Sequence, residues 1–210
     1  MSSFAREQLE AWVKTIDVKA DRVLDIGGAQ YPIKGRTKSW EVKEYKILDL
    51  EKPHECEKYP DYVGDIQDAR AMRDVLTKTG RFDVVFLLEV AEYLWRPWVA
   101  LRNCRGFLKD GGTLYSSWHF IYPHHNPEGE DYLRYTKWGV QKLLKEAGFQ
   151  IEEMVPRAEK GHLRRGRGIK MKGQSARIEA FYAREGMRPC EAFKEHHVVG
   201  WAVKAKKIIN

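Results

Sequence analysis

Short apolar runs alternate with longer amphipathic stretches along this chain of 210 residues. Phe4, Leu9, Trp12, Val13 and Ile16 share one stripe, because residues three or four apart stack on one face of a helix. "RVLDIGGAQ" then carries Val23, Leu24 and Ile26 into a glycine turn, the pattern of a buried strand that finishes around Asp25. "EYKILDL" predicts a second strand ending at Asp49, "DYVGDI" a short third ending near Asp65, and "FDVVFLLE" a fourth ending at Glu89. Asp68 can cap a helix with Ala69, Met72, Val75 and Leu76 inward and Gly80 as its stop. A helix with Trp98, Leu101 and Leu108 inward leads through "KDGG" to the strand "TLYSSW". Thr136 opens another helix, stopped by Gly148, and "FQIEEMV" and "HVVGWAVKA" are two late strands.

Helices between short apolar strands predict an α/β fold: a single-domain, Rossmann-like, doubly wound sheet. It should be mostly parallel, with an antiparallel last strand and helices on both faces. One domain over residues 1–210 is the simplest division, since 43% hydrophobic and 12% aromatic residues can bury one sizeable core. In such a sheet ligands bind at the carboxyl ends of the strands. Asp25, Asp49, Asp65 and Glu89 each close a successive strand and should line that edge together. An acid in this place can also cap the next helix, and for Asp65 or Asp68 alone that reading is equally good. Four together favour a ligand.

The turn narrows the ligand. "GGAQYP" departs from the Gly-x-Gly-x-x-Gly spacing that lets backbone N–H groups hold a pyrophosphate. A carboxylate just before it repels phosphate and attracts an ammonium or sulfonium. "VLDIGGA" resembles motif I of the class I S-adenosylmethionine-dependent methyltransferases, and the similarity extends over about residues 20 to 155. It implies S-adenosylmethionine as cofactor, with Asp25, Gly27, Gly28 and Ala29 at the turn. "YKILDLE" resembles the second motif, placing Asp49 on the ribose hydroxyls with Leu50 beside it. "GDIQD" resembles the adenine-contacting segment, through Asp65 and Ile66, and the block from "FDVVFLLEVAEYLW" onward places Glu89 near the methionine end. Ala29 stands where the family usually has its last glycine, so a methyl group there crowds the approach to the cofactor.

Transfer of a methyl group is an in-line displacement from a good leaving group, so holding the nucleophile near contact in a desolvated pocket supplies most of the rate. A hydroxyl acceptor must still lose a proton, and histidine is the usual recipient. "WHFIYPHHNPEGEDYLRYT" leaves the fifth strand at the ligand edge. His119, His124 and His125 are its candidate catalytic groups, and Trp118, Tyr122, Tyr132 and Arg134 its candidate substrate contacts. The plainer alternative is a lid rich in turn formers with exposed histidines and Arg134 paired to Asp131. No metal site is expected, because no second acid cluster with ligand spacing accompanies the histidines. "DYLRYT" resembles a stretch of family members that modify small molecules or glycans.

Residues 157–177 hold eight Lys or Arg against one Glu, so this Gly-interrupted insertion before the last strand carries the whole chain's net charge of +7. Such an arm suits RNA or an anionic metabolite, and equally a solvated loop that binds nothing. Cys56, Cys104 and Cys190 are too few and too widely spaced for a disulfide framework or zinc cage, and read as reduced thiols. No apolar run approaches a membrane span and "MSSFAREQLEAW" lacks a signal h-region, so a soluble, cytoplasmic protein is expected. The resulting reading is methyl transfer to an oxygen or nitrogen of a small molecule, a saccharide or phosphate-bearing metabolite. The alternatives are an RNA or other nucleic-acid methyltransferase, or a non-catalytic binding protein with the same fold. The oligomeric state is left open.

Overall fold

The computed structural model describes residues 4–53, 59–122, 124, 127, 129–158 and 198–209. Its elements run α1 (Phe4–Val13), β1 (Asp17–Ile26), β2 (Ser39–Asp49), β3 (Tyr62–Val63), α2 (Ala69–Thr79) and β4 (Phe82–Leu87). A 3-10 turn at Ala91–Tyr93 leads to α3 (Pro97–Phe107), β5 (Leu108–His119), α4 (Lys137–Glu146), β6 (Phe149–Ala158) and β7 (Val198–Lys207). The strands form one sheet in the order β3-β2-β1-β4-β5-β7-β6. β1 to β5 pair in parallel, and β7 lies antiparallel between β5 and β6.

Central strands must be apolar on both faces, and the end of β1 meets that demand. Leu24 and Ile26 join Val85, Leu87 and Leu114 beneath Met72, Leu101, Phe107, Val140 and Leu144 of α2 to α4. Val23, Phe86, Tyr115 and Ala202 face the opposite way, onto Leu9, Trp12 and Val13 of α1. Each of the buried Val, Leu, Ile, Phe and Met side chains contributes about 1.5–3 kcal/mol by leaving water. Local signals set the helix starts as expected. Asp68 accepts hydrogen bonds from the N–H groups of Arg70 and Ala71, and Gly80 ends α2 at φ 71°. Thr136 accepts from the N–H of Gly139 at the start of α4.

One link departs from the general pattern of helices between strands, and two expectations fail. Residues 27–38, which connect parallel strands β1 and β2, contain no helix. The link is at the lower limit for a crossover, and Pro32 and Gly35 interrupt it. Trp98 is half exposed, and Leu108 is the first residue of β5 rather than the last inward position of a helix. The basic insertion does not begin at residue 157, because β6 continues through Ala158. Residues 159–177 of that insertion lie outside the described residues, as do Cys56, Cys190 and His125. Cys104 is buried, which pushes its thiol up to about 12. No helix among the described residues is long and apolar enough to cross a membrane.

Candidate active site

A crevice of about 450 Å³ opens at the carboxyl ends of the strands, within the usual range for small-ligand sites. Ile26, Gly27, Leu48, Asp49, Leu50, Asp65 and Ile66 form one half, and Glu89, Val90, Tyr93, Pro127 and Tyr132 the other. Three of the four strand-end acids, Asp49, Asp65 and Glu89, therefore meet in one cavity.

In the first half, each carboxylate is oriented by nearby backbone. Asp49 accepts from the N–H of Ala29 at 3.0 Å and from that of Leu50 at 2.8 Å. Burial raises its pKa, and those two bonds offset part of the rise. Asp65 accepts from the N–H of Gln67 at 2.8 Å. Gly27 has φ +76°, and a Cβ there would lie 2.3 Å from Val90 Cγ2, so only glycine lets β1 turn beneath the residues after β4. Ala29 is buried, and its N–H is spent on Asp49 rather than turned to the crevice.

Asp25 differs from its expected place. It is 3% exposed and does not line the cavity. Its Oδ2 accepts from the Ile33 N–H at 2.8 Å and the Tyr45 hydroxyl at 2.6 Å. A Cβ on Gly28 would lie 2.3 Å from this carboxylate. Asp25 thus braces the turn from behind, tying Ile33 and Tyr45 to the end of β1. Burial pushes its pKa up to about 6, against the lowering effect of the two hydrogen bonds.

The second half rests on side chains far apart in sequence. Glu89 is the one non-glycine residue at positive φ among those described, at 56°, a conformation that persists only when its surroundings hold it. Its N–H donates to Ser117 Oγ at 2.7 Å, and that hydroxyl donates back to Glu89 Oε1 at 2.9 Å. Arg157 Nη1 donates to the same Oε1 at 2.8 Å. His119 Nε2 lies 3.3 Å from Glu89 Oε2 and 3.1 Å from Glu92 Oε1. Burial by itself would raise the Glu89 carboxyl, but Arg157 and His119 hold it well below the usual range. Burial would lower His119, and the two carboxylates overcome it to raise the imidazole to about 9. Glu89, Glu92 and His119 bring ligand atoms within 4.8 Å of one another. Arg157 and the imidazolium already supply the positive charge that a cation would bring.

Two candidate residues therefore change place. Trp118 is fully buried, donates to Ser116 Oγ at 2.9 Å and packs edge-on against Tyr135, so its ring belongs to the core and not the crevice. Alternation along β5 explains this, since Trp118 and His119 face opposite sides of the sheet. His119 has no exposed side-chain surface and stands behind Glu89. His124 is exposed, 3.7 Å from Asp131. Tyr122 packs its ring 4.3 Å from that of His119, and Tyr132 lines the crevice. Arg134 forms a bidentate pair with Asp131, the commoner fate of such a pair. The strap around them is tied down by the N–H groups of Tyr132 and Leu133 to the Glu92 carbonyl, and by the Tyr135 hydroxyl to that of Ala91.

Sequence reasoning missed Arg6, Tyr93, Ser117, Glu92 and Arg157. The spacing of Glu89 and Glu92 on one short turn hinted at Glu92, and the inward alternation of β5 at Ser117. Arg157 left no local signal, because its partner lies 68 residues away.

Residues 51–116 match the family model of a methyltransferase domain. No curated protein matches the chain. Among solved structures, it is similar to a Haloferax volcanii protein described as a methyltransferase and seen with the Trm112 methyltransferase activator. That match has 16% identity and TM-score 0.58, covering 98% of this chain and 90% of the other. An O-methyltransferase family protein from Burkholderia thailandensis matches at 14% identity and TM-score 0.56, over 96% of this chain and 56% of that one. A Listeria monocytogenes protein described as an S-adenosylmethionine-dependent methyltransferase matches at 13% identity and TM-score 0.54, over 98% and 99%. Identities this low speak to the fold. The family-model match runs from the link before β3 through most of β5, and the structural likenesses show that this sheet has the fold of those methyltransferases.

Proposed function

We propose that the enzyme moves a methyl group to an oxygen or nitrogen of a small molecule, a saccharide or phosphate-bearing metabolite. The observation that carries this reading is the single crevice lined by the strand-end acids Asp49, Asp65 and Glu89 together with Tyr93, Tyr132 and Pro127. In this reading Asp49 accepts hydrogen bonds from ribose hydroxyls, and Asp65 and Ile66 meet the adenine edge. Glu89 turns its charge to the cationic methionine end. Asp25, Gly27, Gly28 and Ala29 shape the turn beneath. Bound S-adenosylmethionine supplies an electrophilic methyl group on a good leaving group. The remaining work of the chain is to hold the acceptor near contact and exclude water. An amine acceptor need only arrive neutral. For a hydroxyl, exposed His124 is the candidate proton acceptor, whereas His119 acts only through Glu89.

Calorimetry with S-adenosylmethionine and with its demethylated product tests the cofactor half, and both should bind. Binding of neither would overturn it. Mass spectrometry of co-purifying small molecules then seeks the acceptor. RNA affinity at two salt concentrations, before and after deletion of residues 160–173, tests the alternative. Tight, steeply salt-dependent binding that disappears with the deletion would replace the metabolite by RNA.

A further inference from the structure

We propose that Arg157, reaching across β7 from the far edge of the sheet, is the positioning residue that aims Glu89 into the crevice for methyl transfer. This rests on the reading above, in which Glu89 faces the methionine end of the cofactor. Arg157 pairs with Gly200 across β6 and β7, and Gly200 pairs with His119 across β7 and β5. Residues directly opposite one another share a face of the sheet, so these three form one row pointing toward Glu89. Strands lie about 4.8 Å apart, so the backbones of β6 and β5 are roughly 10 Å apart, and the Arg157 side chain must lie along the sheet over β7 for its guanidinium to meet the Glu89 carboxylate. A side chain on β7 would stand in its way. Gly200 removes it, and a Cβ there would also lie 2.3 Å from the Trp118 carbonyl oxygen.

The guanidinium is 1% exposed and its Nη1 sits 2.8 Å from Glu89 Oε1. Glu89 is faced by Arg157 from β6, by His119 and Ser117 from β5, and by Glu92 and Tyr93 from the turn after β4. Of these, Arg157 alone is a guanidinium, whose planar fork of donors suits a carboxylate. It therefore keeps Glu89 ionised and holds its unusual backbone in place. The same residue lies in the stretch whose lysines and arginines otherwise suggest a solvated arm, yet it is among the largest fully buried side chains of the protein.

The test uses the full chain with Arg157→Met and Arg157→Lys, and Arg157→Gln as the substitute if the Met variant does not fold. Glutamate side-chain carbonyls labelled with carbon-13 are followed by NMR without cofactor, with the Glu89 signal assigned by its loss in Glu89→Gln. In the parent protein Glu89 should stay ionised between about pH 4 and 8, whereas in Arg157→Met it should titrate in that window and in Arg157→Lys not. Calorimetry then follows Kd for S-adenosylmethionine. The parent curve should be flat between about pH 5.5 and 8, while Arg157→Met loses about tenfold on acidification and Arg157→Lys stays near the parent. A Glu89 that does not titrate in the Met or Gln variant, or a Kd profile parallel to the parent, overturns the proposal. If the parent itself binds no cofactor, the reading of Glu89 falls, and with it any role of Arg157 in transfer. A normal NMR result would then mark the pair as structural only.

Discussion

The two halves of the crevice are built by different means. In the half that holds Asp49 and Asp65, the carboxylates are oriented by backbone N–H groups, those of Leu50 and Gln67 close by in the chain and that of Ala29 from the turn after the neighbouring strand. In the other half, Glu89 depends on Ser117, His119 and Arg157, which come from two other strands of the sheet. A site made of local contacts can lose one partner and keep its shape. A buried ionic network cannot, because removing one charge strands the others.

That contrast is sharpest in Glu89→Gln. It leaves Arg157 and His119 with one carboxylate fewer in a buried setting, and urea unfolding should show a loss of about 3–5 kcal/mol. A loss below about 1 kcal/mol would show that the network is solvated or slack.

The two halves should also respond to pH in separate windows. His119 is raised from 6.5 to about 9 in the folded protein. A basic group raised in this way adds stability below its unfolded pKa, which is lost as pH climbs through the folded value. Stability should therefore fall by about 3 kcal/mol between pH 6.5 and 9. His119→Gln should flatten that slope.

Asp25 governs the acid window. Its carboxyl is raised from 3.8 to about 6, so the folded state prefers the protonated form, and the contribution of Asp25 to stability should fall by about 2–3 kcal/mol as pH rises across that interval, opposite in sign to that of the lowered Glu89 carboxyl. Asp25→Asn keeps an acceptor for Ile33 and Tyr45 and should remove the slope. Thermal unfolding at a series of pH values checks both windows, and an unchanged acid slope in Asp25→Asn would reassign it.

The smallest effect belongs to Asp49→Asn. An amide still accepts one of the two backbone bonds, so stability should shift by less than about 1 kcal/mol. Cofactor affinity should drop about tenfold through the lost charge-assisted bonds to ribose. Equal affinity in calorimetry would remove Asp49 from the ribose.

These differences also explain which features could be read in advance. The strands, the caps at Asp68 and Thr136, and the meeting of Asp49, Asp65 and Glu89 follow from hydrophobic period, capping chemistry and the general geometry of parallel sheets. The misplacements have local causes too. Trp118 is one position out of phase with the crevice face of β5, and Asp25 shares the Val23 face of β1, where the Ile33 N–H and the Tyr45 hydroxyl meet it. "DYLRYT" was recognisable as a motif, but its work as a strap bonded to the Glu92 and Ala91 carbonyls was not.

Alternation of apolar and polar residues with turn chemistry was enough to specify a doubly wound sheet and the edge where its acids gather, because both depend on neighbours a few positions apart. Which acids face solvent, which histidine is sealed away, and why Arg157 belongs to the site depended on folding. Those outcomes are decided by pairings across strands, where Arg157, Gly200 and His119 become adjacent only once β7 has inserted between β5 and β6.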